Sequence, residues 1–426
     1  MGFLHENIIL PLSDFATGQQ VYKYLRLLRE TEQWNEAQMS AFQQQRLRML
    51  LECAAIEVPF YRDWFVDHNL DPKTVALNQL PVVNKSVMRQ EGIERFSTEH
   101  FPIKKRLLSR SSGSTGEPFS YYETRLSYSV NTAAKLYTWY QAGYCLGDSY
   151  MKIANGVRHG KLKKIQDMVN SCYYVPFYSM DDSVLASILG RIDKKRPRFI
   201  RSYPVPLFLL ARYRNNHANQ YHHYPQHVFT TGSTLPSAYR EEIEKAFGCD
   251  VIDSYSCEGT PNTYETINHD GYKVSGYYGI IEVLDDSNQP ITDGVGRVVS
   301  TDLWNLAHPF IRYDTQDLVE VKGGQIQRIM GRECDAFVHC NGTLFTIHNF
   351  SHFFLYDTNA VDTYQILKHK DGSIAFRLVV NENFTSNVEH TIIDYWQRQL
   401  GVSVDVMLVD EIPLMHNNKR LTIVEE

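Results

Sequence analysis

The chain has 426 residues, 43% hydrophobic and 22% charged, with 43 Lys and Arg against 49 Asp and Glu for a net charge of −6. That length exceeds one simple core and predicts two or three domains of an ordinary globular protein, while the mild acidity argues against a nucleic-acid partner. Seven cysteines without a C-x-x-C pair exclude a disulfide framework or a recognisable zinc site; no basic-then-apolar leader and no bilayer-length apolar run occur, so a cytoplasmic protein is expected.

Residues 20 to 100 read as mostly helical. Asn35 stands before an amphipathic pattern through Ala41, Leu47, Met49, Leu50, Cys53 and Ile56, and Pro59 is expected to end it. A second helical stretch begins at Lys85. Next comes SRSSGSTGEPF, Ser109 to Phe119, lying between two β-prone runs. Its centre, Ser111, Ser112, Gly113, Ser114, Thr115 and Gly116, is small and hydroxyl-rich. Such a loop can wrap phosphate oxygens with main-chain N–H groups; on its own it reads equally well as a solvated turn. No Gly-Lys-Ser/Thr closes it and no helix is read directly after it, which excludes a P-loop kinase. Ser127 to Gly143 reads as a long helix with Val130, Ala134, Tyr137 and Ala142 inward.

The middle of the chain alternates strand and helix. Strands are expected at 198–203, 227–231 and 250–255, with helices at 205–213 and 236–247 between them. Parallel crossovers put all three strand ends on one edge, where open α/β sheets bind ligands. The loops there are Ser202–Pro204, Thr231–Thr234 and Ser256–Pro261. From Tyr277 the pattern becomes alternating strands: 279–284, 296–301, 310–313, 318–321 and 325–329. Beyond Gly331-Arg332 a small α+β unit is expected, with a hairpin (363–370, 373–380), a helix 388–400 and a strand 402–409. The fold class is therefore α/β: a large unit, 1–333, with a helical start (1–100), parallel and mixed sheets and a β-rich layer, followed by a small α+β unit, 334–426. His217, His222 and His223 lack a helical metal spacing, and Cys249 and Cys257 have no further ligands beside them.

Taken together, RSSGSTGEPF, FTTGS, DSYSCEGT, TDLWNLAHPFIRYDTQDLVEV, GRECDAF and NNKR resemble, in this order and spacing, the adenylate-forming enzyme superfamily. The match is to its phenylacetate–CoA ligase branch and capsular-polysaccharide-biosynthesis relatives, and VPFYRDWF and LNQLPVVNKSVMRQ look like that branch too. The resemblance implies attack of a carboxylate on the α-phosphate of ATP, giving an acyl-adenylate and pyrophosphate. Two anions must meet there; at 4 Å in an effective dielectric near 20, like unit charges repel by about 4 kcal/mol. It also implies residue roles. Ser111–Gly116 would hold the β- and γ-phosphates, and Glu258 would help hold Mg²⁺. Asp317 would accept both ribose hydroxyls. Arg332 would contact the nucleotide or form a structural ion pair. Lys419 would bring a positive charge to the carboxylate and α-phosphate. Thr231, Gly232, Ser233, Tyr255 and Ser256 would border adenine and acid, Tyr203 and Pro204 would form another wall, and Cys334-Asp335 would be the hinge of a mobile C-terminal unit.

The implied partners are a small carboxylic acid and an acceptor: coenzyme A, a carrier-protein thiol, or an amine or hydroxyl of a sugar. A homodimer is left open. The sequence departs from the family pattern at Glu117 (usually Lys), Gly232-Ser233 (usually Gly-Glu), Gln316 (usually Gly), Asn418 (usually Gly) and Cys334 (usually acidic), and the stretch after Glu258 lacks the zinc ligands often found there. These departures also motivate a second reading, a non-catalytic relative that binds a nucleotide or a partner protein.

Overall fold

The computed structural model describes residues 2–99, 101–102, 105–110, 119–154, 160–176, 182–232, 235, 237–330, 336–338, 344–346, 350, 353–354, 358, 360–412 and 423–425. The first hundred residues are mainly helical: α1 (Gly2–Leu4), α2 (Leu10–Thr17), α3 (Val21–Glu30), α4 (Glu36–Glu57), α5 (Pro59–Asp67) and, after the two-residue strand β1 (Val83–Asn84), α6 (Lys85–Glu91). The Asn35 side chain accepts from the Gln38 N–H, and the Gln38 side chain accepts from the Asn35 N–H. This capping box satisfies two donors that the start of α4 would otherwise orphan. Pro59 does more than end α4. Val58 is extended, and Pro59 occupies the first turn of α5, where a missing N–H costs nothing.

The expected hairpin is present. β2 (Leu107–Arg110) pairs antiparallel with β3 (Ser120–Glu123), Leu107 facing Glu123 and Arg110 facing Ser120. The connection they flank, 111–118, lies outside the described residues. α7 (Arg125–Gln141) follows, capped by Thr124 and burying Val130, Ala133, Ala134 and Tyr137.

A seven-stranded sheet forms the centre. Its strands are β4 (Tyr150–Ala154), β5 (Cys172–Pro176), β6 (Phe199–Ser202), β7 (His227–Thr231), β8 (Val251–Tyr255), β9 (Thr263–Glu265) and β10 (Tyr272–Val274), in spatial order β10-β9-β8-β7-β6-β4-β5. From β5 across to β8 all pairs are parallel. Helices α8 (Lys161–Val169), α9 (Asp182–Lys195), α10 (Pro204–Asn216) and α11 (Ser237–Phe247) lie between the strands in sequence. On one face Met151, Ile200, Val228 and Val251 join Leu189, Leu207 and Ile243 in a core. On the other, Phe199, Phe229 and Ile252 cluster with Ala142, Tyr144 and Trp139 at the end of α7. The expected β6–β7–β8 unit is thus extended by β4 and β5 on one side and the antiparallel β9 and β10 on the other.

A second sheet orders β1-β13-β12-β11, with β14 on β13: β11 (Gly279–Leu284), β12 (Gly294–Asp302), β13 (Tyr313–Lys322), β14 (Gln325–Ile329). The strand expected at 318–321 begins earlier: β13 takes in Tyr313 and runs on through a bulge rather than a turn, while Phe310–Arg312 of the strand expected at 310–313 are not strand. Arg297 faces Leu318 and Val299 faces Asp314, which leaves 315–317 opposite Val298 alone. After a short antiparallel pair, β15 (Ala336–Val338) and β16 (Leu344–Thr346), come β17 (Val361–Lys368), β18 (Ile374–Val380), α12 (Ser386–Leu400), β19 (Val404–Leu408) and β20 (Ile423–Glu425). This last sheet, ordered β19-β18-β17-β20, has its own core of Phe350, Phe354, Tyr364, Phe376, Ile392 and Trp396. The boundary expected at Cys334-Asp335 lies outside the described residues. Among those described, no helix is long and apolar enough to cross a membrane.

Arg312, 4% exposed, ties the helical start of the chain to the second sheet. Its Nε and Nη2 reach the two oxygens of Glu282, both at 3.1 Å, and Nη1 donates to the carbonyls of Asn78 (3.1 Å) and Leu80 (2.8 Å). Arg312→Met strands the Glu282 carboxylate and is expected to cost about 3–5 kcal/mol, measured by urea unfolding, while Arg312→Met with Glu282→Met recovers most of it.

His308 is fully buried beside Phe96, Phe119, Tyr121 and Phe310; one ring nitrogen meets the Ser97 hydroxyl at 3.2 Å, and among the described residues Nε2 has no hydrogen-bond partner. Burial drives its pKa from 6.5 down to about 3. A depressed histidine contributes stability that is intact above pH 6.5 and lost as pH falls from 6.5 towards 3, because only the unfolded chain takes the proton. Asp302 acts oppositely: burial lifts it from 3.8 to about 6, so its contribution is intact below 3.8 and lost as pH rises to 6. His308→Leu is therefore expected to flatten the loss of stability between pH 6.5 and 4 in denaturant titrations.

Candidate active site

Strands β6, β7 and β8 end together at Ser202, Thr231 and Tyr255. After β7, Gly232 takes φ +82°, and a Cβ there would sit 2.7 Å from the Tyr203 ring. Glycine thus lets the loop press flat on Tyr203. After β8, Ser256 is exposed and Glu258 is half-buried. The Glu258 loop is clamped on both sides. The Cys257 N–H donates to Thr260 Oγ1 (2.6 Å), the Ser300 hydroxyl donates to the Gly259 carbonyl (3.1 Å), and Gly259 (φ +68°) lies so close to Phe310 that a Cβ would overlap the ring. The Cys257 thiol is 3.2 Å from Glu258 Oε2.

The β13 bulge delivers Asp317 to this loop. Tyr255 Oη donates to Asp317 Oδ2 at 2.9 Å and lies 3.2 Å from Thr315 Oγ1. Thr315 in turn accepts from the Asp317 N–H (3.1 Å) and donates to the Val298 carbonyl (3.1 Å). Burial, and then the Asp317 charge, raise the Tyr255 pKa well above 10, so the phenol stays a donor. Gln316, between them, has φ +62°. The backbone keeps the left-handed turn that glycine adopts freely, although glutamine occupies the position.

A second group faces Glu258 from α7 and β6. Glu123 ends β3 and accepts from the Ser109 hydroxyl. Burial raises its pKa and Glu258 raises it further, opposed by Ser109 and Lys135. On α7, desolvation and then Arg201 push Lys135 down from 10.5, while Glu123 and Glu258 pull it up. Lys135 nonetheless keeps solvent contact.

Of the residues expected at a nucleotide site, the structure brings Tyr255 and Asp317 into direct contact, with Ser256 and Glu258 on the same loop and Thr231 and Gly232 on the same edge. Ser111, Ser112, Gly113, Ser114, Thr115, Gly116, Ser233, Arg332, Cys334, Asp335 and Lys419 lie outside the described residues. Glu123, Lys135 and Arg201 were not anticipated. Arg201, a charge next to Phe199 and Ile200 in a strand of a parallel sheet, was the available signal, since central parallel strands are buried on both faces. Among the described residues no cluster of three or more His, Cys, Asp and Glu side chains is arranged to hold a metal ion.

No protein-family model matches this chain. It is 25% identical over 387 residues to Protein CapK of Staphylococcus aureus, spanning 86% of this chain and 83% of that protein. Its structure is similar to 2-hydroxyisobutyryl-CoA ligase in the postadenylation state with R3-HIB-AMP (TM-score 0.55, 18% identity, 92% of this chain and 90% of that one). The same ligase with 2-HIB-AMP and CoA in the thioesterification state gives TM-score 0.55, 19% identity and coverage of 92% and 91%. The chain has the adenylate-forming ligase fold, with its C-terminal domain.

If the bulge requires a left-handed residue at 316, stability should rank Gln316→Gly above the natural residue, by about 1 kcal/mol, and Gln316→Val below it. Thermal unfolding of the three proteins reads the order.

Proposed function

We propose that this protein activates a carboxylic acid with ATP as an acyl-adenylate, releasing pyrophosphate, and passes the acyl group to the thiol of coenzyme A or a carrier. The observation that carries this reading is the Tyr255–Asp317 contact at the strand edge beside the clamped Glu258 loop, on the fold of a ligase solved with an acyl-AMP and CoA. In this reading Asp317 accepts the ribose hydroxyls with one oxygen fixed by the Tyr255 phenol. Thr231, Gly232, Ser233, Tyr255 and Ser256 border adenine and acid, and Ser111–Gly116 cradle the β- and γ-phosphates from the β2–β3 hairpin. Arg332 lies near the nucleotide, and Lys419 offsets the charge of the carboxylate and α-phosphate as they approach.

Glu258 would hold Mg²⁺. A single half-buried carboxylate fits an ion that shares its remaining positions with phosphate oxygens and water, and when bound the ion would neutralise phosphate charge. Residues 334–426 would form the small unit, pivoting at Cys334-Asp335 between the two half-reactions.

Purified protein with Mg·ATP and a panel of acids is expected to release pyrophosphate only when a suitable acid is present. Lys419→Ala should lower that rate about 10²- to 10³-fold with little change in ATP binding. ATP binding with no acid-dependent release from any acid would favour the non-catalytic reading, and full activity in Lys419→Ala would remove that residue from the mechanism.

A further inference from the structure

The side of β4 and β6 that packs against α7 carries positive charge that the proposed adenylation does not use. Arg201 is the penultimate residue of β6, on the face that packs against α7. Its guanidinium stands 5.3 Å from the ring of Trp139, and that ring stacks on Phe229 at 5.2 Å with planes 8° apart. Lys135 lies one turn before Trp139 on α7, so residues 135 and 139 share a helix face. On β4, Lys152 is in register with Arg201, and register partners in a pleated sheet point to the same side. The three cations therefore gather on the α7 face of two adjacent strands, over an aromatic floor.

Among the described residues neither Lys135 nor Arg201 is in an ion pair. Arg201 is instead the main charged group depressing Lys135. Glu123 and Glu258 act on Lys135 from the other side, but Glu123 is itself destabilised as an anion by burial and accepts from Ser109. Two like charges held near each other repel, and an anion placed between them relieves that repulsion. The floor is apolar and flat, which suits a planar or short carbon skeleton. Glu258, which acts electrostatically on Lys135, and the Tyr255–Asp317 pair are where the proposed reading seats the nucleotide.

We infer that Lys135 and Arg201, with Lys152 beside them, form a specificity site for a second anionic group on the acid, so that the substrate class is a small carboxylic acid carrying another carboxylate, phosphonate or sulfonate across an apolar spacer. The inference rests on the proposed adenylation, since it assigns the far end of the same substrate. The reacting carboxylate faces the nucleotide, and the second anion is held by the cations over Trp139 and Phe229. A planar guanidinium suits a carboxylate or phosphonate held through two oxygens, and Lys135 adds a point charge.

The test uses the full chain with Mg·ATP and matched acids: isophthalate, 3-phosphonobenzoate and 3-sulfobenzoate against benzoate, and glutarate against butyrate. Dianionic acids are expected to exceed their monoanionic partners by about tenfold or more in kcat/KM for pyrophosphate release. Which of the three aromatic acids leads identifies the second anion. Arg201→Met and Lys135→Met should each bring that ratio towards one while changing the KM for ATP less than twofold, and Arg201→Lys should restore part of it. A wild-type preference for monoanions would overturn the inference and leave the adenylation standing. So would variants that raise the KM for ATP and leave the acid ratio unchanged, because the cations would then serve the triphosphate. If no acid supports pyrophosphate release, the proposed function falls, and calorimetric titration of isophthalate into the same protein decides the anion site. Binding weakened about tenfold or more in the variants supports it, and equal or absent binding overturns it. Should Arg201→Met fail to fold, Lys135→Met, at a solvent-contacting helix position, carries the same readouts.

Discussion

A phenol held against a carboxylate joins the two halves of the candidate site. Tyr255 closes a strand of the central sheet, and Asp317 stands on a bulge of the second sheet; the 2.9 Å hydrogen bond between them fixes where the sheets meet. Burial keeps the phenol protonated. The bond therefore has its donor, and it commits one aspartate oxygen to the protein. The Glu258 loop is placed by the same junction, through Ser300 and Phe310 on the segment that leads into the bulge.

The bulge is the backbone device behind this arrangement. A regular ladder would continue the alternation of β13 through 315–317 and pair each residue in turn. Three residues facing Val298 break the alternation, and a left-handed turn at Gln316 makes room for it. Thr315 satisfies the loosened backbone by accepting from the Asp317 N–H and donating to Val298. Bulges beside functional sites commonly re-aim a side chain in this way. Here the side chain is Asp317, and the glutamine in a glycine-type conformation is the local strain that accompanies it.

Much of this was legible in the sequence, for identifiable reasons. The β6–β7–β8 unit announced itself by short apolar strands with helices between, and the hairpin around Ser111–Gly116 by β-prone flanks. The α4 cap was visible as Asn35 before an amphipathic run. What escaped depended on distance rather than pattern. β4 and β5 lie in a stretch of mixed polarity, YMKIA and CYYVP, whose burial comes from the sheet they join. The single strand β13 read as two because a bulge and a turn share a polar signature. Arg201, Lys135 and Glu123 are about 12 to 78 residues apart in sequence, and only the packing of α7 on the sheet makes them neighbours. The resemblance supplied roles for Glu258, Asp317 and Lys419. It had nothing to say about three cations on the opposite wall.

The parallel pairing of β20 with β17 carries a consequence for synthesis. Ile366 to Lys368 take their partners from Ile423 to Glu425, so this sheet cannot close until the segment at 423–425 has emerged. At ordinary rates of translation the edge of β17 stays uncovered for a few seconds, with Ile366 and Leu367, both buried in the finished molecule, open to other nascent chains. Closure of this sheet therefore lags the synthesis of β17, and any chaperone dependence of this protein would concentrate in that interval.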